Sequence, residues 1–213
     1  MSSHLQPLAA TQTLANHTRQ AVQAAIADGS LEPGGRYSVA QLAEQLGISR
    51  TPVREALLVL EREGRVKFER NRGVRILEIT AADVAEVFEL RLLLEVPAAA
   101  KACGIVDTGA LEAELDAMGE RARADDEPGF MDHDERFHEL ILLAAGNRRL
   151  AAIVAGLREA LGGPATRDAQ EAAAEHHAIL AALEAGDADR AAAAMRYHLR
   201  RGAELAGAGS IRA

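Results

Sequence analysis

The chain has 213 residues, the length of one large domain or two small ones, which excludes a peptide or a disulfide-stapled miniprotein. Aromatic residues make up 3% of it and Trp is absent, so Ala and Leu must build the core, and both favour helix over an all-β fold. The net charge of −8 argues against a nucleic-acid partner only if it is evenly spread.

The charge is in fact unevenly spread. Residues 1–78 contain ten Lys and Arg against eight Asp and Glu, whereas residues 79–213 contain 14 against 24. Within residues 36–75 there are nine basic side chains against five acidic ones. A basic stretch of this kind suits the phosphates of DNA, although a solvated charged face has the same composition. We therefore expect two domains, 1–78 and 79–213, the first of them a candidate for DNA binding.

The termini and the cysteine content bear on the cellular compartment. The single cysteine, Cys103, cannot form an internal disulfide, which fits a reducing compartment. The first 20 residues lack the basic start and apolar core of a signal peptide, and no run of the sequence approaches the roughly 18 apolar residues of a membrane span. We expect a soluble, cytoplasmic protein with no membrane partner.

The first domain begins with three predicted helices. Apolar residues recur at helical spacing over residues 11–27. Ser38 can cap a second helix, with Gln41 in the position that completes a capping box. After a tight turn at Gly47, residues 50–63 have the pattern of a third helix. Two short helices joined by a glycine turn predict a helix-turn-helix.

Two short segments with strand character follow the third helix. They are residues 66–70 and 74–78, separated by Asn71, Arg72 and Gly73. A β-hairpin after a helix-turn-helix predicts a winged helix.

The start of the third predicted helix carries the side chains suited to DNA. Arg50 and Arg54 lie four residues apart, on one helix face, and can reach guanine edges or phosphates. Hydroxyls suit phosphate oxygens, and a helix N-terminus attracts anions. The alternative interpretation is that the arginines are ordinary surface charges that do not contact DNA. The candidate DNA contacts are Ser49, Arg50, Thr51, Arg54 and, at the wing tip, Arg72 and Gly73.

The run YSVAQLAEQLGISRTPVREALLVLEREGRVKFERNRGVRI resembles the winged helix-turn-helix of the GntR family of bacterial transcription regulators, most closely from Ser49 to Leu57. The resemblance covers roughly residues 10–78. It implies that the residues named above contact a double-stranded DNA operator with two-fold symmetry, bound by a homodimer.

The second domain is predicted to be an all-α antiparallel bundle of about six helices. Thr80 and Asp83 form a capping-box-like start for a helix that runs toward Lys101, with Pro97 as a possible kink. Glycine and proline punctuate the remaining helical segments, whose short connections favour antiparallel neighbours. These segments are 109–124, 128–145, 147–162, 168–185 and 187–206. The fold class is therefore mainly α, a winged helix-turn-helix followed by a helical bundle.

Five of the seven histidines lie between residues 133 and 198. Asp134 and His138 are one helical turn apart on a common face. His176 precedes the turn near residue 186 by ten residues and His198 follows it by twelve, which places both at a similar height in a helical hairpin. Three imidazoles and a carboxylate suit Zn²⁺ best, with Ni²⁺, Mn²⁺ or Fe²⁺ as alternatives. Isolated surface or core histidines are the other interpretation.

The resemblance extends to this domain. The segments DERFH, AAGN, EH and MRYHL, within residues 80–205, are similar to the FCD effector domain of the FadR-type branch of that family. This resemblance implies metal ligation by Asp134, His138, His176 and His198, with His177 outside the ligand set. His133 points about 100° away from Asp134 on an ideal helix, so we expect it to lie outside the set as well. The resemblance also implies that Arg91 faces a cavity for a small carboxylate effector, with Asn147 as a further contact; an ion pair with Glu95 is the alternative for Arg91.

Three functions remain open at this point. The first is a dimeric repressor, not an enzyme, whose DNA affinity is controlled by a small organic acid bound at the metal. The second is a metal-dependent phosphohydrolase of the HD type, suggested by the dipeptide His133-Asp134. The third is a bundle that only dimerises.

Overall fold

A computed structural model describes residues 14–70, 72–161 and 169–207, without the side chains of residues 169 and 170. The chain divides into two compact units, Met1–Glu78 and Ile79–Ala213. Over the described residues it contains nine helices and one three-stranded sheet, which confirms the mainly α fold class.

The helices of the first unit are α1 (Leu14–Ala27), α2 (Val39–Gln45) and α3 (Arg50–Arg62). The start of the predicted first helix, residues 11–13, lies outside the described residues. Ser38 and Gln41 make both hydrogen bonds of a capping box, as predicted, and this fixes where α2 begins. The core of the unit is built from all three helices and the sheet, with the completely buried residues Val53, Leu57, Leu60, Val74 and Ile76 at its centre.

The wing contains three strands rather than two. β2 (Val66–Glu69) and β3 (Gly73–Ile76) form the predicted hairpin, and β1 (Arg36–Tyr37) pairs antiparallel with the other edge of β3. The strand order is β1-β3-β2. The sequence did not predict β1, because two residues are too few to produce a recognisable alternation and their partners lie far along the chain.

The second unit contains the six predicted helices within its described residues. Their bounds are α4 (Ala81–Ala102), α5 (Thr108–Arg123), α6 (Glu127–Ala144), α7 (Arg148–Leu161), α8 (Ala169–Glu184) and α9 (Ala188–Leu205). Thr80 and Asp83 form the predicted capping box of α4, and that helix continues past Pro97 to its end. It packs against α6, α7 and α9, which makes it the central element of the bundle.

The main core of the bundle lies between α4, α5, α6, α8 and α9. Phe137, which is completely buried, places its ring edge-on against His138 and His176, at centroid distances of 6.0 and 5.0 Å. A smaller apolar cluster that includes Ala98, Leu142 and Val154 holds α7 against α4 and α6. The histidine-bearing helices are therefore fixed by the core itself. Among the described residues, no helix combines the length and the hydropathy that a membrane crossing requires.

Candidate metal centre and DNA-binding surface

Four side chains from three helices meet inside the bundle. Asp134 and His138 come from α6, His176 from α8 and His198 from α9. One potential ligand atom from each residue lies within 4.8 Å of those from the other three. The four residues are between 0% and 7% exposed. The structure thus brings together the four residues that the sequence selected as ligands.

Each imidazole of this cluster is held through its Nδ1 atom. Carboxylate and carbonyl oxygens only accept hydrogen bonds, so each Nδ1 carries a proton, and in the neutral ring Nε2 then keeps its lone pair. The three bonds run from His138 to Glu95 (2.6 Å), from His176 to the Ala172 carbonyl (2.7 Å) and from His198 to Glu175 (3.0 Å). This is the protonation pattern in which imidazole binds a metal ion through Nε2.

The Nε2 atoms are directed toward one another. Those of His138 and His198 are 3.0 Å apart. The Nε2 of His176 lies 2.9 Å from Asp134 Oδ1 but is left without a hydrogen bond within the described residues. With the protons on Nδ1, lone pairs face lone pairs and a carboxylate in a buried site, which is unfavourable unless a cation lies between them. The donor set therefore fits a divalent metal ion.

Two arginines stabilise the acidic groups around this cluster. Arg158 of α7 donates through Nη2 to Asp134 Oδ2, and Arg91 of α4 donates through Nε to Glu95 Oε1 at 2.6 Å. Burial by itself raises the pKa of Asp134, but the positive charge of Arg158 opposes this effect, and the pKa is held well below its usual range. The pKa of Glu95 is also lowered, because Arg91 and His138 outweigh its burial. Both carboxylates are therefore ionised.

Burial disfavours the charged form of His138, which lies between these groups, just as it disfavours the charged form of a carboxyl. It lowers the pKa of His138 and outweighs the opposing effect of Glu95. The neutral imidazole, which is the form that binds metal ions, is therefore the stable form at neutral pH.

A cavity of about 630 Å³ opens beside the cluster. Asp134 and His198 border it together with Arg91 and Arg158. Arg91 is only 6% exposed, and its Nη2 has no hydrogen-bond partner among the described residues. Arg91 was predicted either to face an effector cavity or to pair with Glu95. The structure shows both, since its Nε pairs with Glu95 and the residue also borders the cavity.

Asn147, predicted as an effector contact, does not border this cavity. It is exposed in the turn before α7, where its Oδ1 accepts a hydrogen bond from the Arg149 backbone N–H at 3.2 Å. This correction has a local cause, because an Asn side chain just before a helix satisfies a free N–H of the first turn.

His133 and His177 lie outside the cluster of four residues, as expected. His133 Nδ1 contacts Glu114 of α5 at 2.6 Å, and His177 is exposed with its Nδ1 on the Ala173 carbonyl. The dipeptide His133-Asp134 thus directs its two side chains to different helices, since neighbours on a helix point about 100° apart.

Three partners of the cluster were missed by sequence reasoning in this role: Glu95, Arg158 and Glu175. Glu95 was considered only as an ion-pair partner of Arg91. Arg158 and Glu175 reach the cluster from α7 and α8, at sequence separations of 24 residues from Asp134 and 23 residues from His198. No local spacing rule connects residues so far apart.

In the first unit, α3 presents its first turn to solvent. Arg50, Thr51 and Arg54 are exposed, and Ser49, the N-cap residue, makes no side-chain capping bond among the described residues. The Arg54 guanidinium lies 5.8 Å from the centroid of the Phe68 ring on β2. Four of the predicted DNA contacts therefore share one helix end, where the dipole favours phosphate.

The wing tip contains the other two predicted contacts. Arg72 is exposed. Gly73 has a φ of +82°, and a Cβ there would collide with the Tyr37 carbonyl oxygen of the neighbouring strand. The glycine is thus required by the close approach of β1 and β3.

Not every basic side chain of residues 36–75 is free to contact DNA. Arg36 and Arg75 both pair with Glu69, at 2.7 and 3.1 Å, and the hydrogen bond from Arg36 lowers the pKa of that carboxyl. Arg65 is buried. Further exposed basic side chains lie on α3 and along the wing, at Arg50, Arg54, Arg62, Lys67, Arg70 and Arg72.

A winged helix-turn-helix with an exposed basic helix end, followed by a ligand-cavity bundle, is the architecture of a DNA-binding transcription regulator. The profile of the bacterial regulatory proteins of the gntR family matches residues 14–76, and that of the FCD domain matches residues 86–201. The chain belongs to the GntR family and carries an FCD domain.

Named relatives are also transcriptional regulators. The chain is 31% identical over 198 residues to a probable D-xylose utilization operon transcriptional repressor of Paenarthrobacter nicotinovorans, covering 88% of this chain and 86% of that one. It is 32% identical over 171 residues to the transcriptional regulator McbR of Escherichia coli, covering 75% and 77%. The solved structure of E. coli McbR/YncC superposes with a TM-score of 0.75 at 22% identity, covering 92% and 98%.

These family matches decide the question of enzymatic activity. Both matching domains belong to transcription regulators, and the relatives named above are regulators rather than enzymes. The phosphohydrolase interpretation is thereby excluded in favour of DNA-binding regulation.

Proposed function

We propose that the protein is a cytoplasmic transcriptional repressor whose affinity for its operator is controlled by a small carboxylate bound at a divalent metal ion in the bundle. One observation carries this proposal. Four buried ligand residues converge beside a cavity that is also bordered by Arg91, whose Nη2 lacks a hydrogen-bond partner within the described residues.

The metal would be held by Asp134, His138, His176 and His198. Three neutral imidazoles and one carboxylate suit Zn²⁺ best, with Ni²⁺, Mn²⁺ and Fe²⁺ as alternatives. When bound, the metal supplies a Lewis-acidic centre that attracts a carboxylate oxygen. Glu95, Glu175 and the Ala172 carbonyl keep the imidazoles oriented for this ligation.

The charge of the site favours an anionic ligand. The positive charges of Arg91 and Arg158 are matched by the negative charges of Glu95 and Asp134, and Glu175, which contacts His198, adds one further negative charge. A divalent ion therefore leaves one uncompensated positive charge in a buried place, where such an excess is costly. A carboxylate offsets this excess, and the free Nη2 of Arg91 can donate to it.

The DNA contacts would come from the first turn of α3 and from the wing. Arg50 and Arg54 suit guanine edges or phosphates, and the hydroxyls of Ser49 and Thr51 suit phosphates. Arg72 would reach the DNA backbone or minor groove at the wing tip. Gly73 would contribute indirectly, by permitting the tight strand contact that shapes the wing.

Operator recognition by two copies would match the two-fold symmetry of the DNA. An exposed apolar stripe on α4, formed by Leu90, Leu93 and Pro97, supports a homodimer. We call it the α4 stripe. It is flanked by exposed Glu86 at one end and by exposed Lys101 at the other.

This arrangement is self-complementary. If two α4 helices pack antiparallel about a two-fold axis between residues 93 and 94, Glu86 of each copy lies opposite Lys101 of the other. Leu90 then lies opposite Pro97. Apolar contact at the centre with opposite charges at the rim is the usual composition of an isologous interface.

Two measurements test the proposal. The metal content of the purified chain is determined first, and operator affinity is then measured with and without acetate, hexanoate, succinate or citrate. About one metal ion per chain and weaker operator binding with one of these acids are expected. A chain without metal, stable to chelators and indifferent to every acid, would contradict the proposal and favour a bundle that only dimerises.

A further inference from the structure

The cavity beside the metal cluster is chemically different at its two ends. Its inner end is polar and buried, with Arg91, Asp134 and His198 each no more than 7% exposed. The Nη2 of Arg91 is buried at this end and has no hydrogen-bond partner among the described residues. A hydrogen-bonding, anionic head group supplies the missing acceptor and matches the charge of the guanidinium.

The walls between the inner end and the mouth are apolar. Val84 and Phe88 of α4 are buried there, and Phe130 and Met131 of α6 are half-buried. Leu161 of α7 completes this lining. A charged group placed among these side chains would lose its hydration without gaining a partner, whereas an apolar group would bury surface favourably.

The mouth is acidic. Asp125, Asp126 and Glu127 border it at the start of α6, and Asp125 and Glu127 are exposed. Asp126 is already engaged, since it accepts a hydrogen bond from the Gly129 N–H and pairs with Arg121 at 3.1 Å. Two further carboxylates therefore face whatever part of a ligand extends to the mouth, and they repel a second negative charge.

We infer that the cavity selects a monocarboxylic acid with an apolar body and an uncharged or cationic far end, and discriminates against dicarboxylates. The inference rests on the proposed function, because the carboxylate head is placed at Arg91 and the metal. The inference goes further, because the apolar walls and the acidic mouth determine which ligand body and which far end can bind.

The test uses matched acids that differ only at the far end. Isothermal titration calorimetry of the full, Zn²⁺-loaded chain at pH 7.5 compares monocarboxylates and α,ω-dicarboxylates of four, six and eight carbons. The six-carbon set is hexanoate, adipate and 6-aminohexanoate. At the best-fitting length, the monocarboxylate is expected to bind at least about tenfold more tightly than the dicarboxylate. The amino acid is expected to bind within about threefold of hexanoate, because the acidic mouth accepts an ammonium group.

A double variant, Asp125→Asn with Glu127→Gln, isolates the contribution of the mouth. Asn tolerates the φ of +53° that Asp125 adopts, and Asp126 is left unchanged because it caps α6. The variant should bind the dicarboxylate more tightly while the affinity for hexanoate changes by less than about twofold, since the head-group contacts are unaltered.

The outcomes separate the two proposals. Equal affinity for hexanoate and adipate, or a preference that is unchanged in the double variant, would overturn the inferred selectivity and leave the carboxylate site standing. Failure of every acid to bind the zinc-loaded chain would overturn the carboxylate site itself.

Discussion

The Nε2 atoms of His138 and His198 lie 3.0 Å apart, although the two residues are 60 positions apart in the sequence and belong to different helices. Their Nδ1 atoms are held by Glu95 and Glu175. Because both Nδ1 protons are directed outward, the Nε2 lone pairs of the neutral rings converge between two buried side chains. Two facing lone pairs are stabilised when a cation lies between them. Metal content is therefore the first property to measure.

Metal binding is expected to depend on His176 and not on its neighbour. His176→Ala removes a completely buried ligand, whereas His177→Ala alters an exposed side chain. Mass spectrometry of the purified proteins should find about one metal ion per chain in the wild type and in His177→Ala, and less than a tenth of that in His176→Ala. Circular dichroism checks that the variant retains its helices. Equal metal content in both variants would disprove the assigned ligand.

Chelation is expected to destabilise the wild type and to leave His176→Ala unchanged. A ligand that binds only the folded state contributes RT ln(1 + [L]/Kd), about 4 kcal/mol at a thousandfold excess over Kd. The melting temperature of the wild type should therefore fall after treatment with EDTA and recover when Zn²⁺ is added. An unaltered melting temperature would mean that the cluster holds no metal in solution.

Arg91→Lys is expected to weaken the binding of hexanoate by about tenfold or more without loss of metal. Lysine keeps the charge beside Glu95 but lacks the planar fork of the guanidinium. Calorimetry measures the affinity, and metal analysis verifies that the ligand residues still function. Asn147→Ala is the control, because this exposed side chain only caps α7. Loss of affinity in the control with none in Arg91→Lys would reverse the assignment.

Operator affinity is expected to fall by about 100-fold or more in the double variant Arg50→Ala/Arg54→Ala, since each specific arginine contact contributes about 1–3 kcal/mol. Arg62→Ala is the matched control, an exposed arginine at the other end of α3. Fluorescence anisotropy with a labelled promoter fragment measures both. Similar losses in the two proteins would indicate nonspecific electrostatics instead of contact by the first turn.

The α4 stripe is tested by two substitutions of equal exposure. Leu93 and Ile105 are each 66% exposed, but only Leu93 lies in the stripe. Leu93→Glu should convert the dimer to a monomer in analytical ultracentrifugation, because two-fold packing places both new charges at the interface centre. Ile105→Glu should remain dimeric.

Charge exchange tests the antiparallel register of the same interface. Glu86→Lys and Lys101→Glu should each weaken the dimer through like-charge contacts, and the double variant should restore it. A double variant that is weaker than both single variants would exclude the proposed pairing.

Gly73→Ala is expected to cost about 3 kcal/mol of stability, against about 1 kcal/mol for Gly64→Ala. Both glycines have positive φ, at +82° and +71°, but only at Gly73 would a Cβ meet the backbone of another strand. Urea denaturation compares the two variants. Equal losses would show that the wing relaxes around the added methyl group.

Sequence by itself determined the parts of this protein that depend on neighbours along the chain. The capping boxes at Ser38 and Thr80 and the one-turn spacing of Asp134 and His138 follow from helix geometry, which repeats every few residues. The glycine turns set the helix ends, and the length of the α8–α9 hairpin set the common height of His176 and His198. The fold class and the convergence of these four side chains were therefore predictable.

Tertiary structure alone decided how the site is completed. Arg158 reaches Asp134 from α7, Glu175 orients His198 from α8, and β1 joins the wing by pairing with Val74 and Arg75 of β3. Asn147 was assigned to the cavity by resemblance, but it caps α7 in the exposed turn. These outcomes depend on which helix faces pack together. Packing is set by the combined burial of many side chains, and no short-range pattern records it.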